Sequence, residues 1–324
     1  MKKLFIAIVI TTIVLTGIVA KNDKDTIIIY SSMEQIRGDE LQAQLNEKFS
    51  DLKIHVMYVP TAKSAAKIST EGVNSDADIV VGLETAYLEK VKGSLADTSS
   101  YSKLEYIDGL ELTSDKYVVW ERFSGSIIIN NTVIKKHNLP VPKTYQDLLN
   151  PVYKNLIAMP DPKSSGTGYF FYKNIVNELG EEKALEYFDK LSKNVKTFTE
   201  SGSGPIKLLK QGEIAVGLGL TFQAVDESNK GNDFTHIVPE YGSPYALSGA
   251  GILEGRQNDP DILKVYDYLI NEFLVYDKEN FSPGKVLKDQ KIKMDNYPNE
   301  TKFANMEGIE SISVKEHLLS VWKF

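Results

Sequence analysis

Strand-sized runs of β-branched residues alternate with helix-periodic segments along this chain, and that alternation restricts the fold more than any other feature. Thr26-Ile27-Ile28-Ile29-Tyr30 is a continuous apolar strand. Glu34 to Phe49 follows with Ile36, Leu41, Leu45 and Phe49 at helical spacing. Lys53 to Val59 reads as the next strand, a small-residue helix starts at Ser64, and Ala77 to Gly82 is a third strand before a helix through Tyr87 and Leu88. Strand–helix–strand order of this kind requires a parallel sheet with right-handed crossovers, so the expected class is α/β.

The pattern changes at Tyr117. Tyr117 to Asn130 is too long for one ordinary strand, and Ser124-Gly125-Ser126 in its middle marks a place where flat pairing stops. A second α/β series follows: strand Leu156 to Pro160, helices Gly168 to Leu179 and Glu181 to Leu191, and strand Ile214 to Leu218. Another extended stretch runs from Ile237 to Leu247, and the chain ends in helices that include Pro260 to Leu274. Two extended crossings between two α/β lobes imply a hinge with a cleft, where small ligands bind. A chain of 324 residues also exceeds the size at which single cores stop growing. The expected division is 25–123 for the first part of lobe 1, 124–244 for lobe 2, and 245–324 for the completion of lobe 1 with its C-terminal helices. No tandem repeat or low-complexity tract interrupts it.

The N-terminus carries an export signal. Met1-Lys2-Lys3 is a positive n-region, Leu4 to Leu15 is apolar except for Thr11 and Thr12, and Ile18-Val19-Ala20 offers a cleavage site before Lys21. Residues 1–20 are therefore expected to be a signal peptide. The alternative is a retained anchor, for which about 17 apolar residues is the lower limit of a bilayer span. Leu15-Thr16-Gly17 resembles the start of a lipobox, but Ile18 stands where the lipidated Cys would be. The mature chain is expected outside the cytoplasm, in the periplasm or on the outer face of the cytoplasmic membrane.

Charge and cysteine content remove several function classes. The formal net charge of −7 argues against nucleic acid as a partner. Without cysteine there are no disulfides, thiolate metal sites or Cys–His nucleophiles. The four histidines, His55, His137, His236 and His317, lack metal-binding spacing. No cofactor and no metal site are expected. No G-x-S-x-G elbow anchors a hydrolase triad. A glycosidase would need paired carboxylates, for which only Glu84 and Glu240 suggest themselves. The chain is expected not to be an enzyme.

The chemistry concentrates where strands end. Tyr30 leads into Ser31 and Ser32, Pro60 into Thr61, Gly82 into Leu83-Glu84-Thr85, and Pro160 into Asp161-Pro162-Lys163-Ser164-Ser165-Gly166-Thr167-Gly168. Thr199-Glu200 leads into Ser201-Gly202-Ser203-Gly204, and Leu220 into Thr221. In open parallel sheets ligands collect at this edge, where helix N-termini offer unpaired N–H donors that suit anions. Ser and Thr are also ordinary helix caps, so any single turn of this type can mean capping alone. Two glycines and three hydroxyls make Ser164 to Gly168 the strongest candidate, although it lacks Walker spacing. Arg37 and Arg122 could clamp an anion or form ion pairs. Tyr87, Tyr169, Phe170, Phe222 and Tyr241 could wall the pocket or lie in the core.

The ordered set Ile28 to Ser32, Ala77 to Val80, Ser124 to Asn130, Pro162 to Tyr169 and Gly212 to Gly217 resembles the family-1 extracellular solute-binding proteins of ABC importers. The resemblance runs through the whole mature chain. It implies a type II periplasmic-binding fold with two lobes, a two-crossing hinge and an interlobe cleft, which presents its closed form to ABC permease subunits. This branch includes ferric-ion, 2-aminoethylphosphonate and sugar-phosphate binders. The ferric binders use a Tyr-Tyr pair after the strand matched by Ile214 to Leu218, but here Gly219-Leu220-Thr221-Phe222-Gln223 follows and no Tyr-Tyr dipeptide occurs. The resemblance matches Ser165-Gly166-Thr167 to a phosphate-anchoring loop and places Ser203 near a second anion contact. It aligns Glu84 with a carboxylate ligand and Pro239 to Tyr245 with the second crossing. The expected solute is a small phosphonate or phosphorylated anion, bound by a monomer through Ser31, Ser32, Thr61, Ser164, Ser165, Gly166, Thr167, Ser203 and Thr221. Glu84, Glu240 and Tyr241 would meet its other end. The alternatives are transport of ferric ion or another metal, and ligand sensing for a membrane receptor.

Overall fold

The computed structural model describes residues 26–99, 104–110 and 114–324, so the expected signal segment 1–20 lies outside the described residues. Nine strands organise the described residues: β1 (Thr26–Ser31), β2 (Lys53–Tyr58), β3 (Ile79–Glu84), β4 (Val118–Asn130), β5 (Ile157–Pro160), β6 (Val195–Thr199), β7 (Val216–Leu220), β8 (Phe234–Ile237) and β9 (Tyr245–Ile252). They hydrogen-bond in the order β2-β1-β3-β9-β4-β7-β5-β6, with β8 alongside β4. β1 runs parallel to β2 and β3, and β5 runs parallel to β6 and β7, as the strand–helix alternation requires. The antiparallel pairs all involve β4 or β9.

β4 is the element on which the architecture turns. It is one continuous strand of 13 residues, not two. Val118 to Ser124 pair with β9, whereas Gly125 to Ile129 pair with β7. The change of partner falls at the Ser124-Gly125-Ser126 sequence. Gly125 is required there, because a Cβ would sit 2.5 Å from the Phe170 ring and 2.6 Å from the Phe171 ring. β9 returns from the second half beside it, so two extended segments cross between the halves. This mixed α/β, two-half architecture with two crossings matches the type II periplasmic-binding fold that the resemblance implies.

Both faces of each half are covered, as parallel sheets demand. On β4, Ile127 and Ile129 enter one apolar cluster with Met159, Phe171 and Leu218, while Ile128 enters another with Leu209 and Ala224. In the first half, Ile29, Val81, Trp120 and Phe273 pack on one face, and Tyr30, Val80 and Leu88 on the other. Alternating residues thus face opposite layers, the period of two that defines a strand.

The C-terminal segment crosses the expected division. Ala304, Met306, Ile309, Leu318 and Trp322 belong to the apolar cluster of the second half. Trp322 packs its ring 4.9 Å from both Tyr172 and Phe188. The chain from 303 to 324 therefore leaves the helices Pro260–Tyr268 and Leu274–Asn280, which belong with the first half, and buries its aromatic end against the second.

Candidate functional site

A cavity of about 310 Å³ opens between the two halves at the carboxyl ends of β1, β2, β3, β5 and β6. The first half contributes Ser32, Met33, Glu34, Gln35, Tyr58, Pro60, Thr61, Gly82 and Glu84. The first crossing contributes Glu121 and Phe123. The second half contributes Ser164, Ser165, Gly166, Thr167, Glu200, Ser201, Gly202, Ser203 and Lys207. Gly82 sits in the left-handed region at φ 72°, and a Cβ there would lie 2.6 Å from the Met33 side chain. The bulge it makes between Val81 and Leu83 lets β3 continue to Glu84 at the cavity wall.

Three helices of more than two turns begin at this cavity: Gln35–Lys48, Thr61–Glu71 and Gly166–Leu179. The residues preceding them, Glu34, Pro60 and Ser165, make no side-chain capping bond. Capping is used elsewhere: Asn130, Asp259 and Ser311 each accept a first-turn N–H at their own helices. The Ser164-Ser165 pair is thus not accounted for by capping, and first-turn N–H groups with their partial positive charge face the cavity. The hydroxyl of Thr61 is buried without a partner. Ser32 donates to the Val59 carbonyl at 2.9 Å, so its hydroxyl must rotate off that carbonyl before it can donate to an anion. Ser164 donates weakly to the Asp161 carbonyl at 3.4 Å. The hydroxyls of Ser201 and Ser203 lie 3.3 Å apart. Gly202 leaves room for Thr167, whose hydroxyl would be 2.4 Å from a Cβ at that position, so the two loops of the second half lie side by side.

Glu84 is the wall residue through which the halves touch. It is 3% exposed, and its Oε2 accepts from Lys315 Nζ at 2.5 Å. Its Oε1 has no partner and abuts Gly166, where a Cβ would force the carboxylate to shift. Lys315 comes from the C-terminal helix Ile312–Val321, with its ammonium 4.4 Å from the centroid of Tyr87 and 4.2 Å from that of Tyr169. Burial pushes the Lys315 pKa down, and Glu84 only partly offsets it.

Four carboxylates among the lining residues overstate the negative charge, because three are paired. Arg37 is 1% exposed, and its Nε and Nη2 grip Asp277 at 2.8 and 2.6 Å. It also meets Glu34 at 2.9 Å and Glu121 at 2.8 Å. Lys278 adds contacts to Asp277 at 2.9 Å and Glu121 at 3.3 Å. Burial would raise the Glu121 carboxyl, but Arg37 and Lys278 outweigh it and hold it down at about 2. Asp277 is lowered by the same two cations against the same burial. Glu34, for which burial dominates over Arg37, is raised.

Of the expected site residues, Ser32, Thr61, Glu84, Ser164, Ser165, Gly166, Thr167 and Ser203 line the cavity. Ser31 and Thr221 do not line it; both are buried with unpaired hydroxyls. Glu240 and Tyr241 lie elsewhere. Both Glu240 oxygens accept from the Tyr145 N–H, at 3.1 and 3.0 Å, and Tyr241 packs its ring 5.9 Å from Tyr145. The turn closed by the Gly242 N–H and the Pro239 carbonyl carries both away, so Glu240 does not pair with Glu84 across the cleft. Arg37 is no anion clamp, because the buried acids take its guanidinium. Arg122 lies over the rings of Phe303 and Tyr245, at 4.6 and 5.3 Å. No local signal marks Lys315, a single lysine in a distant helix, or Tyr58 and Phe123. Glu200 and Lys207 flank the second-half loop, next to the Ser201 to Gly204 turn that marks it in the sequence.

Among the described residues no group of three or more His, Asp or Glu side chains could hold a metal ion. No described helix is long and apolar enough to cross a membrane.

Residues 74–303 match a family described as bacterial extracellular solute-binding protein. A Haemophilus influenzae protein of uncharacterised function is 26% identical over 262 residues, covering 78% of this chain and 74% of that protein. The structure of the periplasmic binding protein P5PA is similar with a TM-score of 0.79 and 23% identity, covering 92% of this chain and 98% of that one. The periplasmic binding protein AfuA of Actinobacillus pleuropneumoniae, solved with exogenous fructose-6-phosphate bound, is similar with a TM-score of 0.79 and 22% identity, covering 92% of this chain and 97% of that one.

Proposed function

We propose, from the premise that this chain belongs to the family of bacterial extracellular solute-binding proteins, that it captures a small phosphorylated or phosphonate solute for an ABC-type importer. The observation that carries the proposal is the convergence of three uncapped helix N-termini on one hydroxyl-rich cavity. A tetrahedral oxyanion offers several acceptor oxygens, and first-turn N–H groups with Ser and Thr hydroxyls supply donors in matching number. In this reading Ser32, Thr61, Ser165, Gly166, Thr167 and Ser203 surround the anionic group. Glu84, with one oxygen free, accepts from a hydroxyl or ammonium elsewhere on the solute. The protein works outside the cytoplasm as a monomer, releases the solute to permease subunits, and does not transform it. The likeness to a protein solved with a sugar phosphate is compatible with this reading.

A thermal-shift series on the mature chain tests it, using inorganic phosphate, methylphosphonate, fructose 6-phosphate, thiamin and Fe³⁺. A ligand at about 100 times its Kd adds about 2.7 kcal/mol, which raises the midpoint by several degrees. Shifts confined to phosphoryl compounds are the expected result. A shift with Fe³⁺ or thiamin alone would overturn the proposal.

A further inference from the structure

A second cavity, of about 250 Å³, adjoins the first and shares Glu34, Gln35, Ser203 and Lys207 with it. Its character differs. Ile36, Ile206, Phe222, Phe281 and Met294 supply its apolar surface. Ile206 and Phe222 are each 6% exposed, but Ile36, in the first turn of the helix Gln35–Lys48, is 53% exposed. The charges at its edge pair among themselves, Lys210 with Glu227 at 2.9 Å and Lys230 with Asp226 at 2.5 Å. An occupant therefore meets mainly apolar contacts, with the Lys207 ammonium at the junction of the two cavities and the Gln223 side-chain oxygen, buried without a partner, on the lining. Ile36 and Phe281 come from the first half and Ile206 and Phe222 from the second, so an occupant touches both.

We infer that the solute is a phosphate monoester or phosphonate bearing an apolar, ring-sized substituent. Its phosphoryl group occupies the first cavity and its substituent passes Lys207 into the second. This inference deepens the phosphoryl reading and rests on it. A dry cavity of roughly 150 Å³ suffices for benzene, so the space here admits one ring with small substituents. A ring donor such as a hydroxyl or N–H would satisfy Gln223.

Calorimetric titration of the mature chain with inorganic phosphate and with methyl-, butyl- and benzylphosphonate tests the inference. Each methylene buried in the second cavity strengthens binding by roughly fourfold, so benzylphosphonate is expected to bind at least about 30-fold more tightly than methylphosphonate. Ile36→Ser, at an exposed position, should remove several-fold of that gain, read as a fall in the ratio of benzylphosphonate to methylphosphonate affinity. Phe222→Leu should act in the same direction. Equal affinities across the phosphonates would overturn the inference and leave the phosphoryl reading standing. A benzyl gain untouched by both variants would also overturn it, by placing the ring elsewhere. Failure of every phosphoryl probe to bind would defeat the phosphoryl reading itself, and this inference with it.

Discussion

Two buried ion-pair clusters border the cavity, and they are built on opposite terms. Around Arg37 the charged groups of Glu34, Glu121, Asp277 and Lys278 answer one another, and Trp120 and Ser248 donate to Asp277 and Glu121 at 3.0 and 3.1 Å. This cluster joins the helix Gln35–Lys48, β4, β9 and the helix Leu274–Asn280. At Glu84 only one oxygen is paired, and the pair joins β3 to a helix whose apolar end is buried in the other half. A saturated buried cluster has nothing left to offer a ligand and fixes geometry. An unsaturated one keeps a buried acceptor in reserve, which is costly unless something pairs with it.

The sharpest way to break this comparison is to remove one partner from each cluster. Asp277→Ala leaves Arg37 buried and underpaired, and is expected to cost about 3–5 kcal/mol in urea denaturation. Acid should find the same cluster without mutation. The Glu121 and Asp277 pKa values are depressed in the fold, so their contribution is complete above the unfolded carboxylate range near pH 4 and is lost as pH falls through their folded values. With Glu121 held at about 2, the loss from that residue is on the order of 3 kcal/mol between about pH 5 and pH 1, read as a falling urea midpoint. A flat profile over that range would remove the case for a strongly paired network.

Lys315→Met is the matching cut in the second cluster and should cost less, roughly 1–3 kcal/mol. Glu84 lines an open cavity, so water can solvate the carboxylate once the ammonium is gone, whereas the Arg37 guanidinium left behind by Asp277→Ala is sealed. Equal losses for Lys315→Met and Asp277→Ala would show that both clusters serve the fold alone. The helix Ile312–Val321 also ties the halves together, so the variant should change solute affinity where Asp277→Ala changes mainly stability.

The contrast also explains what was legible in the sequence. Turn chemistry after each strand found most of the hydroxyl wall, because Ser, Thr and Gly at strand ends are a local signal. Strand limits were less visible: β3 was expected to stop at Gly82 but runs to Glu84, since Leu83 and Glu84 pair with Gly249 and Ser248 on β9. β7 likewise extends to Leu220 through pairing with Gly125 and Ser126. Long-range charge pairing was not visible at all. Nothing near Arg37 announces Asp277, and nothing near Glu84 announces Lys315, so the sequence leaves anion clamp and ion pair both open for Arg37 and carries no sign of Lys315. Glu240 looked like a cleft carboxylate by its place in the second crossing, and only the turn at Gly242 sends it to Tyr145.

The mildest test concerns the hydroxyl loop, which belongs to neither cluster. Ser165→Ala with Thr167→Ala is expected to weaken phosphate or phosphonate binding by at least about tenfold, the loss of one or two charge-assisted contacts. Because Ser165 does not cap its helix, the pair should cost less than about 1 kcal/mol of stability. Glu240→Gln serves as the outside control: its carboxylate meets the Tyr145 N–H rather than the cavity, so affinity should not move. Unchanged affinity in the Ser165 and Thr167 double variant would take the anion away from this loop. A loss of affinity matched by a large loss of stability would return the two hydroxyls to the scaffold, on the same side of the comparison as Arg37.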